Sequence, residues 1–506
     1  MSAPVKGAVG GLDVGTTGCK FRLYAPDGRP LGQAYRAYPA HRSGSRHEIS
    51  AEQLADAVME TLAEGFRICP DIAGIGVTSF GETFAALDES DRVLFPCMLY
   101  TDPRGAAECI RLEERLGAAR ITAITGLRPH SMYSLPKMMA LRAAHPEAFR
   151  RVRRLLLIEN YIVYLLTGTA QCDYSMAGRT MAFDYRQLCW NRELLDAAEI
   201  PAELLPRPVP TGTAAGTLRR SLMERLGART CPVVVSLGHD QMANAIGTGI
   251  SDDCAADGSG TVECITPVFR SLPPEGTLQR FGLCPVPYRI PGTYICYAFS
   301  FTGGGALQWF TDAFAHAEQQ CAAQAHCSVF QWLERELPAP PTGILVLPHF
   351  AGAAVPYMDS GSRAAIVGLT LAHGVTDVYQ AILEGVAFEM QINIDALATC
   401  GIRVPALRAS GGGAKSAAWM QIKADVTGVP VTALASADAG TVGCAMMAGA
   451  AAGVFGDVSE AAQRLIRPAR TFFPDSARHE AYRALYDRYR SLYAAVRPLV
   501  GTAEKE

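Results

Sequence analysis

Near the start of this chain, a strand ends on a carboxylate and turns straight back on itself. Ala8-Val9-Gly10-Gly11-Leu12 leads into Asp13-Val14-Gly15-Thr16-Thr17, and Lys20-Phe21-Arg22-Leu23-Tyr24 follows. The order reads strand, tight turn, strand. Gly15 allows a close backbone turn, and the threonine pair adds hydroxyls and N–H groups that can converge on one anion. Familiar phosphate loops run from a strand into a helix. Here Phe21, Leu23 and the Asp27-Gly28 turn carry the chain on as a hairpin. A glycine loop inside a hairpin, preceded by an acid, suits a metal-bound nucleotide phosphate. A plain hairpin turn is the competing reading.

The same scheme returns at Asp257-Gly258-Ser259-Gly260-Thr261-Val262. Acid, glycine and hydroxyl residues again precede an apolar strand, as expected if two similar domains each give one loop to a shared nucleotide. A third glycine loop, Ser410-Gly411-Gly412-Gly413-Ala414-Lys415-Ser416, is not a P-loop, because Ala414 stands where that motif needs glycine before lysine. Its strand-loop-helix setting still favours close backbone approach to a nucleotide.

A chain of 506 residues exceeds one ordinary core, so two large domains, or one with a big insertion, are expected. The net charge of −3 and the lack of a long basic run argue against nucleic acid or an anionic membrane as the main partner. No apolar stretch is long enough to span a bilayer, and residues 444–452 read as a buried helix. No secretory pattern opens the chain. The 15 scattered cysteines contain no C-x-x-C pair and read as small buried hydrophobes in a reducing cytoplasm. The ten histidines form no metal-binding pattern.

Periodicity and turn residues set the expected elements. Residues 50–66 read as a helix capped by Ser50, with Gln53 three residues on and Leu54, Val58, Leu62 and Phe66 on one face. Residues 72–79 read as a strand and 85–95 as a hairpin. Residues 101–228 look mostly helical. Residues 232–237 form a buried strand that ends at Gly238-His239-Asp240, where a helix begins. Further on, 343–348 and 406–410 read as strands, 376–397 and 416–426 as helices, and Pro291-Gly292 as a hairpin turn. Residues 479–496 read as one long helix whose tyrosines belong to core or interface, and 501–506 as a frayed tail.

Three further groups can carry chemistry. Glu82, in Ser79-Phe80-Gly81-Glu82-Thr83, is either a carboxylate for sugar hydroxyls at a strand end or a surface-loop residue. Tyr100-Thr101-Asp102-Pro103-Arg104 sets an aromatic face beside an acid and a base, which suits a polyol or simply a solvated turn. Asp240, just beyond a buried strand, can serve as general base, as a helix cap, or as both. His239 reads as a packed residue.

In this order, these pieces resemble the FGGY family of carbohydrate kinases, nearly end to end. Ala364-x-Ile366-x-Gly368-Leu369, seven residues, then Asp377-Val378-x-x-Ala381-Ile382-Leu383-Glu384 fits the family's C-terminal signature. Met132-x-Ser134-x-x-Lys137-Met138 follows the other signature, with Ala140 where tryptophan is usual.

The resemblance implies an α/β fold of two RNase H-like (actin-like ATPase) domains with an interdomain cleft, divided as residues 1–249 and 250–500. It implies a cytoplasmic ATP-dependent kinase acting on a small sugar, with ATP and Mg2+ required and no nucleic acid or membrane partner; homodimerisation is left open. Asp13 matches the residue near magnesium. Thr16, Thr17 and Lys20 match the first phosphate loop, and Gly260 and Thr261 the second. Gly304, Gln308, Gly412 and Ser416 match nucleotide contacts. Asp240 matches the catalytic base. Gly81 and Glu82 match the sugar-reading pair; Tyr100 falls where a substrate-facing tryptophan is common, and Asp102 keeps that motif's acid.

Xylulose kinases usually carry Met-His at Gly81-Glu82, and glycerol kinases Arg-Glu. Gly238-His239-Asp240 and Ser259-Gly260-Thr261-Val262-Glu263 look more like the rhamnulose and fuculose kinase branch. The substrate range is therefore a ketopentose or deoxyketohexose, of the xylulose, ribulose or fuculose kind. The alternatives are a glycerol- or erythritol-like polyol kinase and a non-catalytic or regulatory ATP-binding protein of the same fold.

Overall fold

The computed structural model describes residues 7–436 and 438–500, so the tail expected to fray lies outside the described residues. The first sheet grows from the opening hairpin. β1 (Ala8–Val14) and β2 (Gly18–Tyr24) pair antiparallel with Asp13 opposite Lys20, and β3 (Pro30–Ala37) extends the ladder. α1 (Ala51–Ile68) begins where Ser50 accepts the Gln53 N–H, and Leu54, Val58, Leu62 and Phe66 are buried along it. β4 (Ile72–Ser79) then lies parallel to β1.

The expected hairpin over residues 85–95 forms: Leu87 bridges Val93 antiparallel, the Leu94 N–H donates to the Ala86 carbonyl at 2.9 Å, and the Asp88 N–H donates to the Arg92 carbonyl at 3.0 Å. Phe84–Leu87 also pairs antiparallel with Arg154–Leu157. Leu155, Leu156 and Leu157 give this strand a second, buried apolar partner. The long helical stretch that follows includes α2 (Ser134–Ala144). The chain then returns through β5 (Thr213–Thr217), antiparallel to β6 (Val233–His239), which runs parallel to β4 and leads into α3 (Asp240–Thr248).

The second half opens with β7 (Ala255–Ser259), β8 (Glu263–Thr266) and β9 (Ala298–Ser300), paired antiparallel in turn. The turn at Pro291-Gly292 joins two short antiparallel strands, Val286–Pro287 and Tyr294–Ile295. α4 (Gly304–Phe314) and α5 (Val375–Thr399) follow. β10 (Leu407–Ser410), α6 (Ala417–Thr427) and β11 (Val431–Leu434) come next, then α7 (Ala439–Ala451), β12 (Pro468–Phe472) and α8 (Ser476–Tyr489). β10 lies parallel to β7, β11 parallel to β10, and β12 antiparallel to β11.

The two sheets, β3-β2-β1-β4-β6-β5 and β9-β8-β7-β10-β11-β12, share one plan. Three antiparallel strands are followed by two parallel ones and an antiparallel edge. The edge strand precedes its partner in the first half and follows it in the second. Each half thus carries the RNase H-like strand plan, which extends the short echo between the two loops to whole sheets.

α7 crosses the first sheet although it belongs to the second half in sequence. It lies so close that a Cβ on Gly76 would meet the Cys444 carbonyl oxygen at 2.2 Å, and one on Gly11 the Thr441 oxygen at 2.0 Å. The alanine-rich segment is therefore the expected buried helix.

The expected helix over 479–496 is broken into α8 and a short turn, Leu492–Val496. Tyr482 and Tyr489 stay in the core, while Tyr493 stacks on Tyr357 at 4.0 Å and donates to Asp359. Among the described residues, no helix is long and apolar enough to cross a membrane.

Candidate active site

The strand register gathers the site. In the first sheet, β1, β4 and β6 run parallel, with Asp13 and Gly238 both beside Thr78, and Val14 and His239 both beside Ser79. The acid of the opening loop, the loop carrying Glu82, and Asp240 therefore leave the same edge. This is the carboxyl edge of parallel strands, where open α/β sheets bind ligands.

The opening turn is closed by the Gly15 N–H donating to the Gly18 carbonyl at 2.9 Å, and the Tyr38 hydroxyl donates to the Gly15 carbonyl. Thr16 and Thr17 sit at its tip, half-buried and exposed. Burial pushes the Asp13 carboxyl up to about 7; Asp240 and Asp438 push it the same way, and Lys20 pulls it down. Lys20 Nζ lies 2.6 Å from Asp438 Oδ1, and Arg22 lies 2.8 Å from the other oxygen of Asp438.

Asp240 is the first residue of α3, and the cap falls instead to His239, whose Nδ1 accepts the Gln241 N–H. The cap reading of Asp240 is corrected accordingly: His239 has the extended backbone a cap requires. Nδ1 thus carries no proton for Asp240, although Oδ1 is 3.1 Å away. Burial holds the imidazole down at about 4, so it is neutral, as a packed histidine should be. Asp240 Oδ1 has no hydrogen-bond partner. Burial raises this carboxyl to about 6, the Gln241 N–H opposes the rise, and Glu82 adds to it.

A deep polar layer holds this turn. Asp173, fully buried, accepts from Ser175 Oγ and the Met176 N–H, and the Thr211 hydroxyl donates to it as well. Ser175 Oγ in turn accepts the His239 N–H at 3.0 Å, and Thr78 Oγ1 donates to the Gly238 carbonyl at 2.8 Å. Gly238 needs its positive φ of 70°, because a Cβ there would strike Asp173.

Gly81 lies against the imidazole: a Cβ there would meet His239 Cδ2 at 2.7 Å. Glu82 takes a left-handed φ of 63°, uncommon for a non-glycine residue and frequent at functional sites. Its carboxylate is buried and accepts from Arg179 Nε at 2.6 Å, so it is no free surface residue. The Arg179 guanidinium lies 5.2 Å from the Tyr133 ring centroid. Tyr100 is 41% exposed; burial raises its phenol first, then the charges of Glu82 and Asp240, which places it on the same crevice. Lys137 donates to the Tyr100 and Met132 carbonyls.

Asp102 differs from a free polyol contact. Both oxygens accept from Arg104, and the His47 N–H also donates to it. Its role in the structure is to hold Arg104, which also reaches Glu48.

In the second half, three glycine turns meet. Gly304 N–H donates to the Gly260 carbonyl at 2.8 Å, and the Gly303 and Gly305 N–H groups donate to the Thr261 carbonyl. Gly411, at φ 95°, approaches so closely that a Cβ would lie 2.4 Å from the Ser259 carbonyl oxygen. Gly260, Thr261, Gly304 and Gly412 are thus brought together. Gln308 bonds Asp312 along α4. Ser416 caps α6 by accepting the Trp419 N–H, and its hydroxyl donates to Glu334 at 2.6 Å.

Beneath the second loop lies a cluster that the local pattern did not reveal. Lys423, fully buried, pairs with Asp257 at 2.8 Å and with Glu263, and donates to Ser259 Oγ at 2.9 Å. Burial and then the Asp257 charge raise the Glu263 carboxyl well above its ordinary value. Arg179, Lys423 and Asp438 each meet partners far away along the chain, so no short motif marks them. A lone lysine within an apolar helix, Ile422-Lys423-Ala424, is the one signal available for Lys423.

Magnesium takes hard oxygen ligands and usually one or two carboxylates plus substrate phosphates. Asp13, with a carboxyl raised by burial and by the nearby acids Asp240 and Asp438, offers that chemistry. Among the described residues, no group of three or more His, Cys, Asp or Glu could hold an ion alone. The arrangement fits a cation shared with a nucleotide.

The model of the FGGY family of carbohydrate kinases, N-terminal domain, matches residues 8–247, and that of the C-terminal domain residues 278–452. The chain is 27% identical to a xylulose kinase of Bacillus subtilis over 97% of both chains. It is 30% identical to a glycerol kinase of Symbiobacterium thermophilum over 91% of this chain and 92% of that one. Its fold superposes on the crystal structure of xylulose kinase from Rhodospirillum rubrum with a TM-score of 0.86 at 26% identity, covering 97% and 99% of the two chains.

Proposed function

The chain belongs to the FGGY family of carbohydrate kinases and is a sugar kinase, and from that premise we propose how its residues divide the reaction. Asp240 is the general base that takes the proton of the sugar hydroxyl attacking the γ-phosphorus of ATP. The unpartnered Asp240 Oδ1, beside Asp13 at the carboxyl edge of three parallel strands, carries this reading. A carboxyl near 6 is ionised at neutral pH yet basic enough to accept a proton.

Residues 1–249 bear the sugar site, the base and the first phosphate loop, and residues 250–500 bear the nucleotide loops. Thr16, Thr17 and Lys20 face the terminal phosphates, and the turns at Gly260-Thr261, Gly304 and Gly412 cradle the rest. Asp13 would hold Mg2+, which would supply charge neutralisation on the transferring phosphoryl group when bound. The protein's share is to orient the hydroxyl in line and to exclude water.

The substrate is uncharged. Glu82 is paired with Arg179, and Asp102 with Arg104, so apart from the carboxylates assigned to the reaction the crevice offers hydrogen bonds and a Tyr100 face. A ketopentose of the xylulose kind is the first choice. The relatives named above fit it, since xylulose and glycerol are both small uncharged polyhydroxy compounds. A glycerol-like polyol is the second choice, favoured by the glutamate at position 82, which glycerol kinases share. The test is ADP release over D-xylulose, D-ribulose, L-fuculose, L-rhamnulose, glycerol and erythritol. A ketopentose is expected to give the highest kcat/KM. ATP binding with no sugar-dependent ADP release across that panel would leave only the regulatory alternative.

A further inference from the structure

Tyr297 joins the short strand Tyr294–Ile295 to β9 in the second half. Its ring stacks on His239 of the first half, with centroids 5.6 Å apart and planes 26° apart. The residue is 9% exposed, and its hydroxyl has no hydrogen-bond partner. Such orphans are few in folded proteins, because burying a hydroxyl without a partner is unfavourable.

The groups around this hydroxyl are those of the active site. After burial itself, the charges that act most on the phenol are Arg179, Asp173 and Asp240, followed by Cys264. Arg179 is committed to Glu82, and Asp173 to Ser175, Met176 and Thr211. His239 has Nδ1 committed to the Gln241 N–H, and its Nε2 edge faces Gly81. Asp240 Oδ1 is the other orphan here, and like Tyr297 Oη it is shut off from water. Asp240 must meet a sugar hydroxyl to act, and its side chain, 38% exposed, is open to the crevice. Tyr297 shares that environment and stands ready with a donor.

We propose that Tyr297 is a sugar-binding residue supplied by the second half, whose Oη–H donates to a sugar oxygen next to the hydroxyl that Asp240 deprotonates. This rests on the reading of Asp240 as base and deepens it. The first half alone carries Glu82, Arg179, Tyr100 and Asp240. With Tyr297, the sugar touches both halves, and its binding favours their apposition.

Tyr297→Phe keeps the ring and its stacking and removes only the hydroxyl. The probe is whichever of D-xylulose, D-ribulose or glycerol the enzyme turns over fastest. The expected result is a sugar KM about three- to tenfold higher with an unchanged ATP KM. The thermal midpoint of the free protein stays equal or rises, because an unpartnered buried hydroxyl has gone. A purely structural tyrosine gives the opposite stability change. A sugar KM within twofold of wild type, an equal rise in the KM of ATP, or a lowered midpoint with both constants disturbed overturns the proposal. Asp240→Asn, assayed alongside, separates the two readings. If it keeps full turnover while Tyr297→Phe raises the sugar KM, the base assignment fails and Tyr297 stands. If Asp240→Asn loses turnover and Tyr297→Phe changes nothing, only the Tyr297 assignment falls.

Discussion

Replacing Asp240 with asparagine should make the protein more stable and nearly inactive at once. The substitution keeps the shape and removes the charge. Burial is the main reason the carboxyl stands near 6 instead of 3.8. A rise of about 2 pH units corresponds to about 3 kcal/mol against the folded state once the group is ionised, at about 1.4 kcal/mol per unit. The side chain is 38% exposed, and solvent screening reduces this to about 1–2 kcal/mol. A carboxyl raised on folding costs nothing well below its unfolded value and costs the full amount above its folded one. The variant should therefore melt about 2–4 °C higher than wild type at pH 8, and the gain should fade as the pH falls from about 6 towards 3.8. Turnover should drop roughly 10²–10⁴-fold, the usual worth of a general base, with ATP affinity kept. Thermal unfolding at pH 8 and pH 4.5, run beside coupled ADP release, reads both effects. Turnover within threefold of wild type removes Asp240 from the chemistry. A lowered melting temperature at pH 8 shows that the carboxylate supports the fold, and the argument from its orphaned oxygen fails.

Three further outcomes follow from the same geometry. With Mg-ATP saturating, kcat should rise as pH increases through about 6 and fall below it with a slope of one proton, because Asp240 acts as the ionised base; a flat profile from pH 5 to 8 contradicts this. Lys423→Met should cost about 3–5 kcal/mol, since it strands Asp257 beside Glu263 inside the protein, whereas Glu263→Gln should cost far less because that carboxyl is already driven towards its neutral form; denaturant unfolding of both variants gives the comparison. Asp438→Asn should lower the KM for ATP about two- to fivefold, because it frees Lys20 and Arg22 from a half-exposed ion pair worth up to about 1 kcal/mol; an unchanged or raised ATP KM places Lys20 away from the phosphates.

Elements written in local pattern are legible in the sequence itself. Residues 72–79 form the expected strand, and Ser50 caps its helix through Gln53. Asp13 stands one residue before the end of β1 and Asp240 just past the end of β6, each close behind an apolar run. What the local pattern misses is decided at a distance. The segment 84–87 forms its local hairpin and also takes a second partner from 154–157, about seventy residues on, which nothing local announces. Asp240 yields the cap to His239 because the backbone becomes helical one residue earlier than the residue types suggest. Asp102 resembles a sugar contact by residue type, but Arg104, two positions on, takes both of its oxygens. Arg179, Tyr297 and Lys423 gain meaning only from partners across the fold, so composition and spacing pass over them.

The two halves repeat one strand plan but handle buried charge in opposite ways. The second half neutralises its own: Lys423 answers Asp257 and Glu263, and the phosphate turn above them is tied by three glycine N–H groups to two carbonyls. That is a rigid cradle, suited to a nucleotide bound much the same before and after reaction. The first half leaves charge uncompensated. Asp13 and Asp240 face the same crevice, each raised by burial, and Asp240 keeps an oxygen with no partner. Folding alone would not select such an arrangement, since each unpaired carboxylate lowers stability. On the proposed roles it would become favourable once a cation met Asp13 and a hydroxyl proton met Asp240. The half that tolerates this cost is the half where the reacting atoms must sit. On the roles proposed above, the nucleotide cradle and the reacting carboxylates fall on different copies of one strand plan.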